Sequence, residues 1–294
     1  MHTGVTIGKD LNRTGPLFNR RRTGAGGSDR PGAIRGRGRE LPCVVPCLTK
    51  PGRRVGDAPL RKRYQIKICG ITNRTDLEAV GAAGVDWAGV ILEVGSSPRS
   101  VGFSKARALV ETSPLPVLIL TDRRDFTWLY RVGTEISPAG LQLLGESDPG
   151  LIRQLKEAFS STIPSFGIWQ SFHLPPAGSF HGNLSLTGLI NEITLAFQAG
   201  LQAAVLDTAV RLGNALQRGG TGLKHDWKLA RILVERVPGP VFLAGGITPD
   251  NVQTALNLVD PAGVDLSSGV EASPGKKDLL KIQSLVRQVR GCAG

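Results

Sequence analysis

The sequence predicts an α/β protein: a (β/α)8 TIM barrel over residues 64–294, preceded by a disordered basic extension over residues 1–63. Eight short apolar, β-branched runs alternate with eight stretches of helical pattern, and such alternation is typical of a parallel sheet. These units fill a length close to the usual size of that barrel. A doubly wound open sheet is the alternative, but no G-x-G-x-x-G motif follows the first strand, which weakens it.

The distribution of charge supports the division into two segments. The 294 residues include 36 Lys and Arg against 24 Asp and Glu, a net charge of +12, of which residues 1–63 supply +11 and residues 64–294 only +1. The first segment is rich in Gly, Pro and Arg and has no apolar periodicity, so it cannot bury enough surface to fold. It fits a tail for nucleic acid or acidic surfaces, an organelle transit segment or an over-extended gene model. The sequence leaves these alternatives open.

Composition excludes several other classes of protein. No run approaches the ~20 apolar residues of a membrane span, and no secretory signal is expected at Met1. Four cysteines are too few and too scattered for a disulfide framework, so we expect a cytoplasmic protein. Cys43 and Cys47 have no further ligands nearby for a structural zinc ion, and we expect no metal site.

The predicted strands are short runs rich in Val, Ile and Leu. In chain order they are residues 65–69, 87–92, 117–120, 140–144, 165–170, 203–206, 241–244 and 263–266. The predicted helices between them cover residues 74–84, 105–112, 125–132, 149–159, 185–198, 226–237, 249–258 and 276–289. Residues typical of helix starts and ends support these bounds: Thr72, Ser104, Ser185, Thr248, Pro249, Gly84 and Gly200.

In such a barrel the active site lies at the carboxyl ends of the strands. The loops after the last two strands expose backbone N–H groups and predict a phosphate site, with tight turns as the alternative explanation. Their residues are Gly245, Gly246, Ser267, Ser268 and Gly269. The other strand ends are Glu93, Asp122 and residues 96–99, 144–146 and 169–170.

The loop after the sixth strand is also a candidate part of the site. It runs from Thr208 to His225, and long loops without secondary structure are uncommon in compact domains unless they serve a function. Its glycine-rich stretch, residues 218–222, includes Gly220. We expect this loop to cover a ligand or to supply further N–H groups to a phosphate.

Cys69 and Asp207 are the candidates for proton transfer. Cys69 ends a strand and shares its face with Lys67, so a thiolate base is one interpretation and a small buried apolar residue is the other. Asp207 follows the apolar run AAVL, where a carboxylate is costly unless it is satisfied or used. No His lies beside either residue in the sequence, which gives Cys–His catalysis no support.

Several motifs follow one another in a specific order along the predicted barrel. They are KICGIT at 67–72, SPR at 97–99, LDT at 206–208, GGTG at 219–222, DW at 226–227, LAGGITP at 243–249, NV at 251–252, GVDLSSGVE at 263–271, PG at 274–275 and KD at 277–278. By the order and placement of these motifs, most of residues 64–290 resembles the phosphoribosylanthranilate isomerase family.

The resemblance implies an Amadori rearrangement of N-(5-phosphoribosyl)anthranilate. It implies that Asp207 protonates the ribose ring oxygen and that Cys69 removes the C2′ proton. It further implies that Arg99 pairs with the anthranilate carboxylate, a task suited to a planar guanidinium. The chemistry needs only proton transfers, so no cofactor is implied. The expected partner is one small phosphorylated substrate, with no membrane, no nucleic acid, and a monomer or homodimer.

The middle of the predicted barrel departs from the family's pattern. Leu144 stands where the family usually has His, the third strand ends in Asp122 instead of Asn, and residues 169–170 read Trp-Gln. These changes concern the aglycone half of the pocket. A barrel enzyme acting on another sugar phosphate therefore stays open, as does a non-catalytic protein with a nucleic-acid-binding tail.

Overall fold

The computed structural model describes residues 63–174, 185–212, 215–218 and 226–291. Eight parallel strands form the barrel. They are β1 (Gln65–Ile68), β2 (Trp87–Leu92), β3 (Val117–Thr121), β4 (Gly140–Leu143), β5 (Gly167–Leu174), β6 (Ala203–Leu212), β7 (Val241–Leu243) and β8 (Gly263–Leu266).

The sheet closes because β1 pairs with both β2 and β8. The remaining neighbours pair in parallel in chain order, from β2 to β8. This closure confirms the predicted (β/α)8 barrel and excludes the open doubly wound sheet. The predicted extension lies outside the described residues, except for Arg63.

Each strand is followed by a helix on the outside of the barrel. The helices are α1 (Arg74–Ala82), α2 (Phe103–Glu111), α3 (Phe126–Glu135), α4 (Pro149–Ser160), α5 (Leu186–Gln198), α6 (Trp227–Arg236), α7 (Val252–Val259) and α8 (Leu279–Gly291). Their apolar faces pack on the strands in one continuous core. None of the helices in the described ranges is long and apolar enough to cross a lipid bilayer.

Large aromatic residues fill the barrel below the strand ends. The Trp169 ring lies 5.3 Å from that of Trp87 and 4.5 Å from that of Phe242, measured between ring centroids. The indole N–H of Trp169 donates to Gln202 Oε1 at 3.0 Å, which satisfies its polar atom. This packed layer closes the barrel interior below the side chains at the carboxyl ends of the strands.

Two predicted strands end too early. The fifth continues past Gln170 to Leu174, so Trp169 belongs to the packed interior and not to the strand end. The sixth continues through residues that were predicted to be loop, because residues 209–212 pair antiparallel with residues 215–218. The glycine-rich stretch itself, with Gly220, lies outside the described residues.

The helix bounds agree with prediction to within three residues at most ends, while most predicted N-caps are wrong. Asn73, Gly102 and Asn251 take the N-cap positions instead of Thr72, Ser104 and Thr248, and α7 begins after Pro249. Ser185 is confirmed, since its side chain accepts from the Gly188 N–H. Gly84 and Gly200 have the positive φ expected of residues that follow a helix end.

Candidate active site

A cavity of about 390 Å³ opens at the carboxyl ends of the strands. All eight strands or the loops that follow them contribute to its wall. It brings together every predicted site residue that the structure describes: Cys69, Arg99, Asp207, Gly245, Gly246, Ser267, Ser268 and Gly269.

Cys69 lies at the end of β1 and is buried. The glycine at position 89 leaves space for it, because a Cβ there would lie 3.2 Å from the Cys69 sulfur. Burial raises the pKa of the Cys69 thiol to about 11, although Lys67 and Lys277 act in the opposite direction. The thiol is therefore protonated near neutral pH, and the two lysines favour the small fraction of thiolate.

Asp207 lies on β6, one residue beyond Leu206, the last residue of β6 that pairs with β7. Its Oδ1 accepts a hydrogen bond from the Thr208 N–H at 2.7 Å. Burial raises the pKa of the Asp207 carboxyl group to about 6; the Thr208 N–H opposes this shift, and the nearby Asp265 adds to it. A carboxyl group that holds its proton close to neutral pH is suited to act as a general acid.

An ion pair that the sequence prediction missed lies between these two residues. Lys67 on β1 and Asp265 on β8 face each other in register. The Lys67 Nζ donates to Asp265 Oδ2 at 2.6 Å, and their side chains are only 0% and 6% exposed. Burial by itself lowers the pKa of Lys67, but the facing Asp265 carboxylate outweighs this effect and raises the pKa. A charge inside an apolar strand was the available signal, the same one that identified Asp207.

The loop after β7 turns through two glycines with positive φ, +73° at Gly245 and +66° at Gly246. A Cβ at Gly245 would lie 2.2 Å from the Thr208 hydroxyl, so this turn needs glycine next to β6. Asn251 fixes the loop by donating to the Gly246 carbonyl at 2.9 Å and accepting from the Thr248 N–H at 3.0 Å.

The loop after β8 forms a short 3₁₀ helix, Ser268–Val270. Gly269 is required there, because a Cβ would lie 2.0 Å from the Ile247 carbonyl oxygen. The Ser267 hydroxyl is buried and makes no hydrogen bond within the described part of the chain. The two loops therefore place their glycines and this hydroxyl at one corner of the cavity.

Arg99 already faces a carboxylate of its own chain. Its Nη2 donates to Glu271 Oε2 at 2.7 Å and its Nε to Oε1 at 2.8 Å. Lys277 completes the cluster, with its Nζ 2.8 Å from Glu271 Oε1 and 2.7 Å from the Cys69 carbonyl oxygen. Arg99 and Lys277 together hold the pKa of Glu271 below its usual range, against the effect of burial. Prediction missed Glu271 and Lys277, and it had expected Arg99 to be available for a ligand.

The opposite wall of the cavity, from β2 to β5, contains an apolar patch of Ile91, Leu120 and Leu144 among polar side chains. Two of these polar side chains pair with each other: the buried Gln142 donates through Nε2 to the Ser171 hydroxyl at 2.9 Å. His173 lines the same wall and is in register with Asp207. Prediction missed Ser171 and His173, because it ended the fifth strand before them.

Fold and site together define a class of protein. A closed barrel with a carboxyl group of raised pKa, a buried thiol and two glycine- and serine-rich loops at its strand ends fits an enzyme that moves protons on an anionic ligand. The family described as "N-(5'phosphoribosyl)anthranilate (PRA) isomerase" matches residues 66–288. The chain belongs to this family and is an isomerase.

Individual relatives agree with this assignment. The N-(5'-phosphoribosyl)anthranilate isomerase of Rhodopseudomonas palustris is 35% identical over 228 residues, covering 76% of this chain and 95% of the relative. That of Haloferax volcanii is 34% identical over 233 residues, covering 78% and 95%. The solved phosphoribosyl anthranilate isomerase of Thermococcus kodakaraensis is 27% identical, with a TM-score of 0.62 and coverage of 77% of this chain and 99% of that one.

Proposed function

We propose that this chain converts N-(5-phosphoribosyl)anthranilate to 1-(2-carboxyphenylamino)-1-deoxyribulose 5-phosphate, a step of tryptophan biosynthesis, with Asp207 as general acid and Cys69 as general base. The observation that carries this proposal is the contrast between the two groups. Both line one cavity, and burial leaves the carboxyl group with a pKa of about 6, high enough to retain a proton.

The reaction needs one proton transfer from the protein and one to it. Asp207 donates its proton to the ribose ring oxygen as the C1′–O bond breaks, and the anthranilate nitrogen supplies the electron pair that forms the Schiff base. The Cys69 thiolate then removes the C2′ proton, and the electrons of the C2′–H bond form the C1′–C2′ double bond of the enolamine while the C1′=N pair returns to nitrogen. Ketonisation moves the 2′-hydroxyl proton off and adds a proton at C1′, so no oxidant or reductant is needed.

The substrate phosphate belongs at the loops after β7 and β8. Gly245, Gly246 and Gly269 line the cavity there, and we assign their backbone N–H groups and the Ser267 hydroxyl as the donors to the phosphate. Neutral donors of this kind bind a phosphate without placing another full charge beside the acid and the base. Gly220 stays a predicted contact, since it lies outside the described residues.

We place the anthranilate ring against the apolar patch of Ile91, Leu120 and Leu144. Arg99 lines the same cavity, and its Nε and Nη2 donate to Glu271. In our proposal the anthranilate carboxylate meets Arg99 through the remaining nitrogen, Nη1. Glu271 and Lys277 then act as positioning residues that fix the guanidinium plane.

The direct test measures the loss of phosphoribosylanthranilate fluorescence with the purified full chain. We expect turnover by the wild type and losses of at least 100-fold for Cys69→Ala and for Asp207→Asn. Complementation of a tryptophan auxotroph that lacks the isomerase gives the same test in cells. A wild type without turnover in either assay contradicts the proposal. The cytoplasmic location and the monomer or homodimer state stay predictions.

A further inference from the structure

The Lys67–Asp265 ion pair is unusual in its position. It lies inside the barrel, with both side chains almost completely buried and an Nζ–Oδ2 distance of 2.6 Å. Taking two charges out of water is so costly that apolar residues of similar size are often at least as stabilising. Fold stability alone therefore does not account for an ion pair at this point.

The Asp265 carboxylate uses only one of its two oxygens. Oδ2 accepts from Lys67, whereas Oδ1 is buried and has no hydrogen-bond partner among the described residues. Glu271, a buried carboxylate next to Arg99, accepts from Arg99 through both of its oxygens and from Lys277. Since buried polar atoms are nearly always paired, the open oxygen of Asp265 indicates a partner that the chain itself does not supply.

Asp265 is placed to meet the sugar of a substrate. It lines the cavity, on the strand next to β1 and Cys69. Ser267 of the phosphate loop follows two residues later and lines the same cavity. Asp265 therefore lies between the proposed base and the proposed phosphate site, where the carbon atoms that connect C1′ to the phosphate must pass.

We propose that Asp265 is a further substrate-binding residue, whose Oδ1 accepts a hydrogen bond from the substrate's 2′-hydroxyl group while Lys67 holds the carboxylate in place. The 2′-hydroxyl is chosen because it is bonded to C2′, the carbon that Cys69 deprotonates. The inference rests on the function proposed above. An ionised acceptor gives a stronger hydrogen bond than a neutral one and is positioned before the substrate arrives.

The test pairs two protein variants with two ligands. Asp265→Asn keeps the shape of the side chain, and the double variant Lys67→Met/Asp265→Leu replaces the buried pair by apolar residues so that the fold survives. The first ligand is the reduced form of 1-(2-carboxyphenylamino)-1-deoxyribulose 5-phosphate, which has a 2-hydroxyl group in place of the ketone and cannot turn over. The second ligand is the same molecule without that 2-hydroxyl group. Calorimetry measures binding, and thermal unfolding measures stability.

We expect loss of the 2-hydroxyl group to weaken binding to the wild type at least tenfold. We expect it to change binding to the double variant less than twofold, because the acceptor is gone. The double variant should unfold within a few degrees of the wild type and yet lose at least 100-fold in kcat/KM. Asp86→Asn is the matched control, since Asp86 pairs with Arg290 away from the cavity; it should keep the full tenfold preference for the hydroxyl.

Two results overturn the inference. One is a wild type that turns over substrate but binds both analogues equally. The other is equal weakening of the wild type and of the double variant when the hydroxyl group is removed, which would assign the ion pair a purely structural role. A wild type that neither turns over phosphoribosylanthranilate nor binds the reduced analogue is a failure of the proposed function itself.

Discussion

The two halves of the barrel mouth differ in chemistry. The half built by β6, β7, β8 and β1 contains a carboxyl group, a thiol, a buried ion pair and two N–H-rich loops. The half built by β2 to β5 contains an apolar patch of Ile91, Leu120 and Leu144 and a buried amide–hydroxyl pair between Gln142 and Ser171. Arg99 lies on the second half, but Glu271 of the first half compensates its charge.

This difference shows how one small cavity can serve a substrate with two unlike ends. Proton transfer needs groups whose pKa values have been shifted by burial and by neighbouring charge, and the two groups proposed to transfer protons, Cys69 and Asp207, both lie in the first half. A flat aromatic ring needs apolar area and a few fixed polar atoms, which the second half provides. Substitutions should therefore affect chemistry in one half and ring recognition in the other.

The largest effect is expected for Asp207→Asn, with kcat/KM falling about 1000-fold because the acid is lost. The matched control is Asp122→Asn, which removes a carboxylate from the opposite half of the same cavity. Asp122 is exposed, and we expect its loss to change kcat/KM less than threefold. Steady-state kinetics at pH 7 compares the two, and similar losses would contradict a division of labour between the halves.

The pH profile of kcat/KM tests the assignment of acid and base within the first half. Asp207 acts when protonated and has a pKa of about 6, whereas Cys69 acts as thiolate and has a pKa of about 11. Between these two pKa values, the fraction of Cys69 thiolate rises with pH by the same factor by which the fraction of protonated Asp207 falls. The product of the two fractions is therefore constant, and kcat/KM should not change with pH. Below about pH 6 it should fall tenfold per unit, since only the thiolate fraction still changes.

Two outcomes would revise that assignment. A profile that falls tenfold per unit above pH 6 would show that Asp207 is the acid and that some group other than Cys69 is the base. In Asp207→Asn the flat region should be replaced by a rise with pH up to about 11, the pKa of the Cys69 thiol in the folded protein. A flat profile in that variant would contradict the role of the thiolate.

A substitution in the apolar patch of the second half should have a smaller effect on kinetics. Leu144→Ala removes part of the surface proposed for the anthranilate ring, and losses of this kind are worth about 1–3 kcal/mol. We expect KM for phosphoribosylanthranilate to rise about tenfold with kcat within twofold, and the affinity for inorganic phosphate to stay unchanged. Leu258→Ala is the control, since Leu258 is an exposed leucine on α7. A drop in kcat instead of a rise in KM would place Leu144 with the chemistry.

The sequence predicts the first half of the mouth better than the second, for a physical reason. Cys69 and Asp207 stand at the ends of short apolar runs, and a polar residue at such a point is visible from local pattern alone. The Lys67–Asp265 pair joins residues 198 positions apart in the sequence. Only the closure of the barrel between β1 and β8 brings them together, although each is visible as a charge within an apolar strand.

The second half depends on contacts and bounds that local pattern does not specify. Arg99 and Glu271 are 172 positions apart, and the hydrogen bonds between them could not be expected from either motif. His173 was missed because the fifth strand was ended at Gln170, whereas the alternation of inward residues continues through Ser171 to His173. Ending this strand four residues too early therefore left Ser171 and His173 out of the predicted site.

The smallest expected effect is on the stability of the fold, which burial of the Asp207 carboxyl group lowers at high pH. The pKa of Asp207 is raised from 3.8 to about 6 in the folded protein. The folded state therefore holds this proton more tightly than the unfolded chain, so the stability it contributes is present below pH 3.8 and is lost as pH rises to about 6. Asp207→Asn cannot ionise and should unfold at least about 2 °C above the wild type at pH 8. The difference should shrink toward pH 4, and a shift of the same size at both values would assign it to packing instead of ionisation.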